Sequence, residues 1–473
     1  MLRKLLLVLT ILAATGAGAE AQLLGGRGIG GLGGLGPGGV GGLPANVPVT
    51  GVPVTSVPAT IPAPSVPAPA GVLANPVGAA TQPLSGVTPA ATGAVANTGL
   101  TQDAGAIAAT AGRDLVGRPL GQTLLGRDAR GFPIVAGQVL SVSPGEESLA
   151  AAQRLNFRIL RQDRLGALGL SVTVLATPAG MDAVAALAVL RQADPAGTYD
   201  YAHVYNPSGG PVAPVQASRG AANASAPAGQ VRIGMIDGGV EAGHSALAAV
   251  PVVARDFAGS GPAPASAHGT AIASLLAGSD RNFSGYLPGA TLYAADVFGG
   301  QQDGGSAADI ARALNWLAEN NVAVVNISLA GPPNALLGAA VKAFAEGGHV
   351  LVAATGNDGP AAPPNYPAAY PGVIGVTAVD AAHHLALDAN RAAARFAALG
   401  VNVRAAALPS GYGAASGTSY ASPLVAARFA LLVTAPDREA CQSALTVLTK
   451  DAVPIPDSGI AYLPGPSDRL AAR

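Results

Sequence analysis

Residues 322–355 read VAVVNISLAGPPNALLGAAVKAFAEGGHVLVAAT, two short apolar runs on either side of a helical stretch. Val322–Ser328 and His349–Thr355 are nearly continuous in Val, Ile, Leu and Ala, as strands buried on both faces are, and Asn334–Gly347 has the length of a helix. Working outward, the pattern repeats. "VRIGMID" (231–237), "TLYAADVF" (291–298) and "VIGVTAV" (373–379) are further strand candidates, and "GTAIASLLAG" (269–278) and "SAADIARALNWLAEN" (306–320) further helices. In the second helix Ile310, Ala313, Leu314 and Leu317 recur at helical spacing. Strands alternating with helices imply an α/β domain, a parallel sheet with helices on both faces, and chemistry at the carboxyl ends of its strands.

The rest of the 473 residues divides by composition. The opening "MLRKLLLVLTILAATGAGAEA" sets Arg3 and Lys4 before a short apolar run and small residues, the pattern of a cleaved signal peptide over 1–21. Residues 22–111 are Gly-, Pro- and Ala-rich without a period that could build a face, so they predict a disordered spacer. Over 112–207 the pattern is strand, helix, strand, strand, helix, strand, a ferredoxin-like α+β module. A second Pro/Gly/Ala-rich stretch, 208–230, reads as a linker, 231–452 as the α/β domain and 453–473 as a C-terminal tail. With 26 basic and 27 acidic residues the net charge of -1 offers nothing to nucleic acid, and no later run is long and apolar enough for a stable membrane span. The single cysteine, Cys441, excludes an intrachain disulfide or multi-cysteine metal site and is expected in the core. An exported protein, in the periplasm, at the cell surface or outside the cell, fits these features.

Three side chains stand at strand ends or helix starts. Asp237 closes the strand in "GMIDGGV", His268 opens "HGTAIASLLAG", and Ser419 begins the helix of "SYASPLVAARFALLV". Alone, each is an ordinary turn or cap residue. Together, in the order Asp, His, Ser, they supply what nucleophilic acyl transfer needs: a hydroxyl to attack, an imidazole to take its proton and a carboxylate to orient that imidazole.

The words around them resemble the subtilisin-like serine proteases, whose nucleophile lies in G-T-S-hydrophobic-A-small-P, whose histidine lies in H-G-T and whose aspartate lies in a strand-ending D-small-G. The resemblance runs from about Val231 to the region of Leu432 and implies a serine endopeptidase acting on protein or peptide substrates. "VAATGNDG" resembles the family's oxyanion segment, which implies that Asn357 donates to the tetrahedral intermediate beside the Ser419 N–H. It also implies a pocket for the residue before the scissile bond, walled by Ser328, Leu329 and Ala330 on one side and by Ala353, Ala354 and Thr355 on the other. Both walls are uncharged, so an uncharged side chain is expected there. By the same resemblance the module at 112–207 is a prodomain, removed by self-cleavage within 208–230. No cofactor is required; calcium is common in the family, but no EF-hand-like run of ligands is present. Gly238, Ala271, Ala330, Tyr420 and Leu424 depart from the family's usual residues, Tyr420 standing where Met is common and Ala330 where Gly is. Two other readings use the same chain: a non-catalytic peptide-binding homologue, or a surface adhesive whose working part is the Gly/Pro-rich region.

Overall fold

The computed structural model describes residues 125–214, 231–259, 264–300 and 304–465. The signal peptide and spacer read over 1–111 lie outside the described residues, as do 215–230 of the linker and 466–473 of the tail.

The first part is a small α+β sandwich. After a three-residue strand, Leu125–Arg127, come β1 (Pro133–Val142), α1 (Glu146–Arg154), β2 (Arg158–Leu165), β3 (Leu170–Ala176), α2 (Ala183–Ala193) and β4 (Thr198–Pro207). The strands are antiparallel in the order β4-β1-β3-β2. Helix α2 starts where the Asp182 carboxylate accepts the Ala185 N–H, and it buries Ala183, Ala186, Leu187 and Leu190. These meet Phe157, Leu175 and Tyr199 on one face of the sheet. Side-chain alternation sends Leu140, Val142, Val172, Val174 and Val204 to the other face, which has no helix of its own module to cover it.

The second part covers that face. Apart from the two-residue strands Ser279–Asp280, Phe283–Ser284 and Gly305–Ser306, its strands are β5 (Ala213–Pro214), β6 (Arg232–Asp237), β7 (Val252–Asp256), β8 (Thr291–Asp296), β9 (Val324–Ile327), β10 (Leu329–Ala330), β11 (Val350–Ala354), β12 (Val373–Val379), β13 (Phe396–Leu399), β14 (Val403–Ala406), β15 (Tyr412–Ala415), β16 (Val453–Pro454) and β17 (Ala461–Tyr462). Its helices are α3 (Ala267–Ala277), α4 (Ala307–Glu319), α5 (Ala335–Glu346), α6 (Thr418–Ala430) and α7 (Arg438–Asp451). Nine strands form one sheet, ordered β16-β17-β13-β12-β11-β9-β6-β8-β7, in which only the β16–β17 pair is antiparallel. The α/β architecture with helices on both faces is therefore present. Helix α6 runs through the core: every residue except Arg428 is buried, and its Ala and Ser residues let it pass close to the strands. On the opposite side α4 and α5 bring Ile310, Leu314, Leu336, Leu337 and Val341 into the same apolar cluster as the open face of the module.

Three sequence expectations need revision. Residues 453–465 are not a tail, since β16 and β17 extend the main sheet and Leu463 is buried, its N–H donating to Ala397 O at 2.8 Å. Two-residue strands are too short to show a period. Residues 208–214 are not free linker either, because they are hydrogen-bonded to the α/β domain along their length, as described below. Cys441 is only half-buried, its thiol donating to Gly348 O at 3.2 Å.

Strand β4 belongs to both parts. Val204 and Tyr205 pair antiparallel with Gly305–Ser306, and Asn206 and Pro207 pair antiparallel with Leu329–Ala330. Tyr205 is fully buried and donates its hydroxyl to Pro332 O at 2.7 Å. Beside it Asn334 has two tasks: its Oδ1 accepts the Leu336 and Leu337 N–H groups that open α5, and its Nδ2 donates to Tyr201 O at 2.9 Å. Removing it leaves buried donors and an acceptor unpaired. Asn334→Ala is expected to destabilise the chain by about 2 kcal/mol; a melting temperature indistinguishable from the parent's would contradict this account.

Candidate active site

Asp237 ends β6, an interior strand of the main sheet between β9 and β8, and is fully buried. Its Oδ1 accepts the Gly238 N–H at 2.8 Å and lies 2.9 Å from His268 Nδ1. The imidazole comes from the second residue of α3, whose start is capped by the Ser266 hydroxyl accepting the Gly269 N–H at 2.8 Å. Gly269 lets α3 approach the Asp237 turn: a Cβ there would sit 2.3 Å from Gly238 O. The H-G of the motif is thus a packing requirement, placing the ring directly over the carboxylate.

Ser419 is the second residue of α6 and also fully buried. Gly417 precedes the helix at φ +137°, a conformation other residues rarely adopt, and a Cβ on it would approach Asn357 Nδ2 to 2.9 Å. Asn357 Oδ1 accepts the Thr418 N–H at 3.0 Å, and Thr418 Oγ1 accepts the N–H of the preceding Gly356 at 3.0 Å. Its Nδ2 and the Ser419 N–H, an unused donor of the first helical turn, converge on one acceptor.

That acceptor belongs to the chain itself. Ser208 O receives Asn357 Nδ2 at 2.5 Å and Ser419 N at 2.9 Å. Upstream, the Ser208 N–H donates to Ser328 O at 3.0 Å, continuing the pairing of β4 with β10. Downstream, the Gly210 N–H donates to Ser416 O at 3.1 Å, and the Tyr420 hydroxyl donates to Gly210 O at 2.6 Å. Farther on, β5 pairs antiparallel with β15, Ala213 opposite Ala414 and Pro214 opposite Gly413. Residues 205–214 therefore cross the cleft as an extended peptide, with the Ser208–Gly209 bond beside Ser419 and His268. The Ser419 hydroxyl donates to Ser328 O at 3.2 Å, and His268 Nε2 and Ser208 Oγ are buried without a hydrogen bond.

Of the other sequence candidates, Ser328, Leu329 and Ala330 lie along this track, and Ala353, Ala354 and Thr355 lie at the end of β11. Ser328 presents its carbonyl to Ser208, and its own hydroxyl lies within hydrogen-bonding distance of Asn326 Nδ2, Ser419 O and Ser422 Oγ. Leu329 and Ala330 pair with the residues before Ser208. Ala353 and Ala354 end β11, fully buried, and the Thr355 hydroxyl donates to Asn390 O at 2.7 Å, so Thr355 braces the floor beneath Asn357. Through the family resemblance, sequence reasoning expected the last strand of the module to lead into the cleft and self-cleavage within 208–230; it did not fix which residues lie there, and it gave Tyr420 no contact. The adjacent Pro207 and Gly209-Gly210 pointed only to flexibility.

Sequence reasoning also passed over Asp296. In register, Asp237, Asp296 and Asp256 end three neighbouring strands. Asp296 is 5% exposed; its Oδ1 accepts the Phe298 and Gly299 N–H groups, while its Oδ2 has no partner. Burial is the main cause that pushes its pKa up to about 6, with Asp256 and Asp237 adding repulsion. Among the described residues no group of three or more His, Cys, Asp or Glu side chains is placed to hold a metal ion, so no calcium site is assigned. Because the folded pKa of Asp296 lies above the unfolded value, the folded chain retains a proton between about pH 4 and 6 that the unfolded chain releases, and stability falls as pH rises through that window. Asp296→Asn is expected to stabilise the protein by roughly 2 kcal/mol at pH 7.5 and by nothing measurable near pH 4. Thermal melts at the two pH values test this, and equal shifts at both would refute it.

Comparison with known proteins identifies the family of the α/β domain. The family model Peptidase_S8, the Subtilase family, matches residues 229–453. Subtilisin DY of Bacillus licheniformis is 36% identical over 211 residues, 43% of this chain and 76% of that protein. Minor extracellular protease Epr of Bacillus subtilis (strain 168) is 36% identical over 169 residues, 35% of this chain and 26% of that protein, so the match spans only about a quarter of it. In fold the chain is similar to fervidolysin from Fervidobacterium pennivorans, a keratinolytic enzyme related to subtilisin, with a TM-score of 0.55 and 18% identity over 70% of this chain and 60% of that one.

Proposed function

Because this chain belongs to the subtilase family of serine endopeptidases, we propose that it hydrolyses peptide bonds with Ser419 as nucleophile and that it is made as a zymogen whose first substrate is its own Ser208–Gly209 bond. The observation that carries the reading is the carbonyl of Ser208, held by two converging donors beside Ser419. In this mechanism Ser419 gives up its bond to Ser328 O and passes its proton to His268 Nε2 as it attacks the Ser208 carbonyl carbon. Asp237 keeps the Nδ1–H of His268 pointed at itself and stabilises the imidazolium. The developing oxyanion strengthens the bonds from Asn357 and the Ser419 N–H, which are already aimed at it. His268 then protonates the Gly209 nitrogen, the C–N bond breaks, and water hydrolyses the acyl-enzyme by the reverse path.

The module read over 112–207 acts in this reading as the prodomain, and β4 is the substrate-like strand it leaves in the cleft. Ser208 supplies a small, uncharged side chain before the bond, in keeping with the uncharged walls beside it. The leader at residues 1–21 and the relationship to an extracellular protease support export, and no helix among the described residues is long and apolar enough to cross a membrane. Substrates in trans are proteins or peptides able to lie along β10 as β4 does.

The test is intact mass against time for purified residues 22–473. The parent chain is expected to yield a C-terminal fragment beginning at Gly209, Ser419→Ala to stay whole, and Asn357→Ala to cut about 10²–10³-fold more slowly. The reading would be overturned by the same fragment from Ser419→Ala, or by a parent chain that neither cuts itself nor degrades denatured casein.

A further inference from the structure

The leaving-group side of the cleft has a shape that the protease reading alone does not require. We infer that Tyr420 restricts the position after the scissile bond to glycine, so that this enzyme cuts polypeptides on the amino side of glycine. The inference rests on the reading of Ser208–Gly209 as the bond attacked.

Gly209 sits in a space with no room for a side chain. A Cβ built on it would lie 2.8 Å from Tyr420 Cε2, 3.1 Å from Ser419 Cβ and 3.3 Å from His268 Nε2. The first is closer than carbon atoms approach without displacement, and the other two belong to groups that the reaction needs in place. Backbone conformation is not the reason, since Gly209 avoids the left-handed region reserved for glycine. The restriction is steric, and the ring of Tyr420 is its main wall.

That wall cannot easily yield. Tyr420 is fully buried in α6, its ring centroid is 5.6 Å from that of His268, and its hydroxyl is tied to Gly210 O at 2.6 Å. Burial pushes its pKa above the usual phenol range, so the hydroxyl stays a donor at any working pH. Moving the ring to admit a methyl group would break this bond and press on His268. A substrate therefore pays twice for a side chain at this position. One residue further on the constraint disappears: a Cβ on Gly210 would meet only Ser416 O, at an ordinary 3.7 Å.

The contrast between neighbouring glycines provides the experiment. Release of the C-terminal fragment is timed by intact mass in the full chain and in its Gly209→Ala, Gly210→Ala and Gly209→Ala/Tyr420→Ala variants. Gly209→Ala is expected to slow cutting at residue 208 by about tenfold or more. Gly210→Ala, which adds the same methyl one position later, is expected to slow it by much less, and Tyr420→Ala to recover a large part of the Gly209→Ala loss. Far-ultraviolet circular dichroism reports whether the double variant is folded; if it is not, the comparison of the two alanine variants decides alone. A digest of denatured casein by the processed parent, read by mass spectrometry, extends the test to other substrates and is expected to show glycine after most cuts. Equal rates for the parent and Gly209→Ala, or casein cut without regard to the following residue, would overturn the glycine restriction and leave the protease intact. A parent chain with no cleavage in cis or in trans would remove both.

Discussion

Two N–H groups meeting on one carbonyl oxygen organise this molecule. For Ser208 O to receive both Asn357 Nδ2 and the Ser419 N–H, α6 must begin where it does, its Thr418 N–H must hold Asn357 Oδ1 in the turn after β11, and β4 must lie along β10 in the right register. Each condition draws on a different part of the chain. Gly417 sets the helix start through its unusual φ, Thr418 and Asn357 fix each other, and Ser328 aligns the peptide through its carbonyl. Such donors stabilise developing charge without reorganising at the moment of reaction, which is why their placement matters more than their number.

The same register joins the two folded parts. An open β-sheet face needs a cover, and the module finds one in α4 and α5 of its neighbour. Tyr205 then seals the seam from the last strand, and the ion pairs Arg161–Asp309 (3.2 Å) and Arg312–Asp163 (3.6 Å) close its edge. Burial and strand pairing thus deliver residue 208 to the cleft without any segment having to search for it.

Much of this was legible in the chain because it is written locally. The strand-ending Asp237, the helix-opening His268 and the helix-opening Ser419 are each defined by residues within a few positions, and the sheet follows from apolar runs with helices between them. What escaped notice depends on distant partners. Ser208–Gly210 carry no period and no charge, so it takes Ser328, Asn357, α6 and the Ser416 carbonyl to reveal that they are bound. Tyr420 is an ordinary buried aromatic until Gly210 is placed beneath its hydroxyl. The exposed strand β7 and the two-residue strands at 453–454 and 461–462 depend on pairing and, at Tyr462, on burial against Val379 and Ala397, which no propensity announces. Asp296 looked like a residue of β8 and nothing more, because its isolation is a property of the neighbouring strand ends.

The peptide in the cleft is anchored on both sides of its central bond, by β4 upstream and by β5 downstream. In the proposed reaction both halves of the first substrate are therefore covalently part of the catalyst, and no encounter is involved. Bond breaking in cis is then a first-order event whose half-life is the same in a dilute and in a crowded compartment, because the translational entropy of bringing substrate to site was spent during folding. Every later substrate arrives as a separate molecule and depends on concentration. One cleft thus works under two kinetic regimes, and completion of the fold, not the abundance of the protein, times the passage from one to the other.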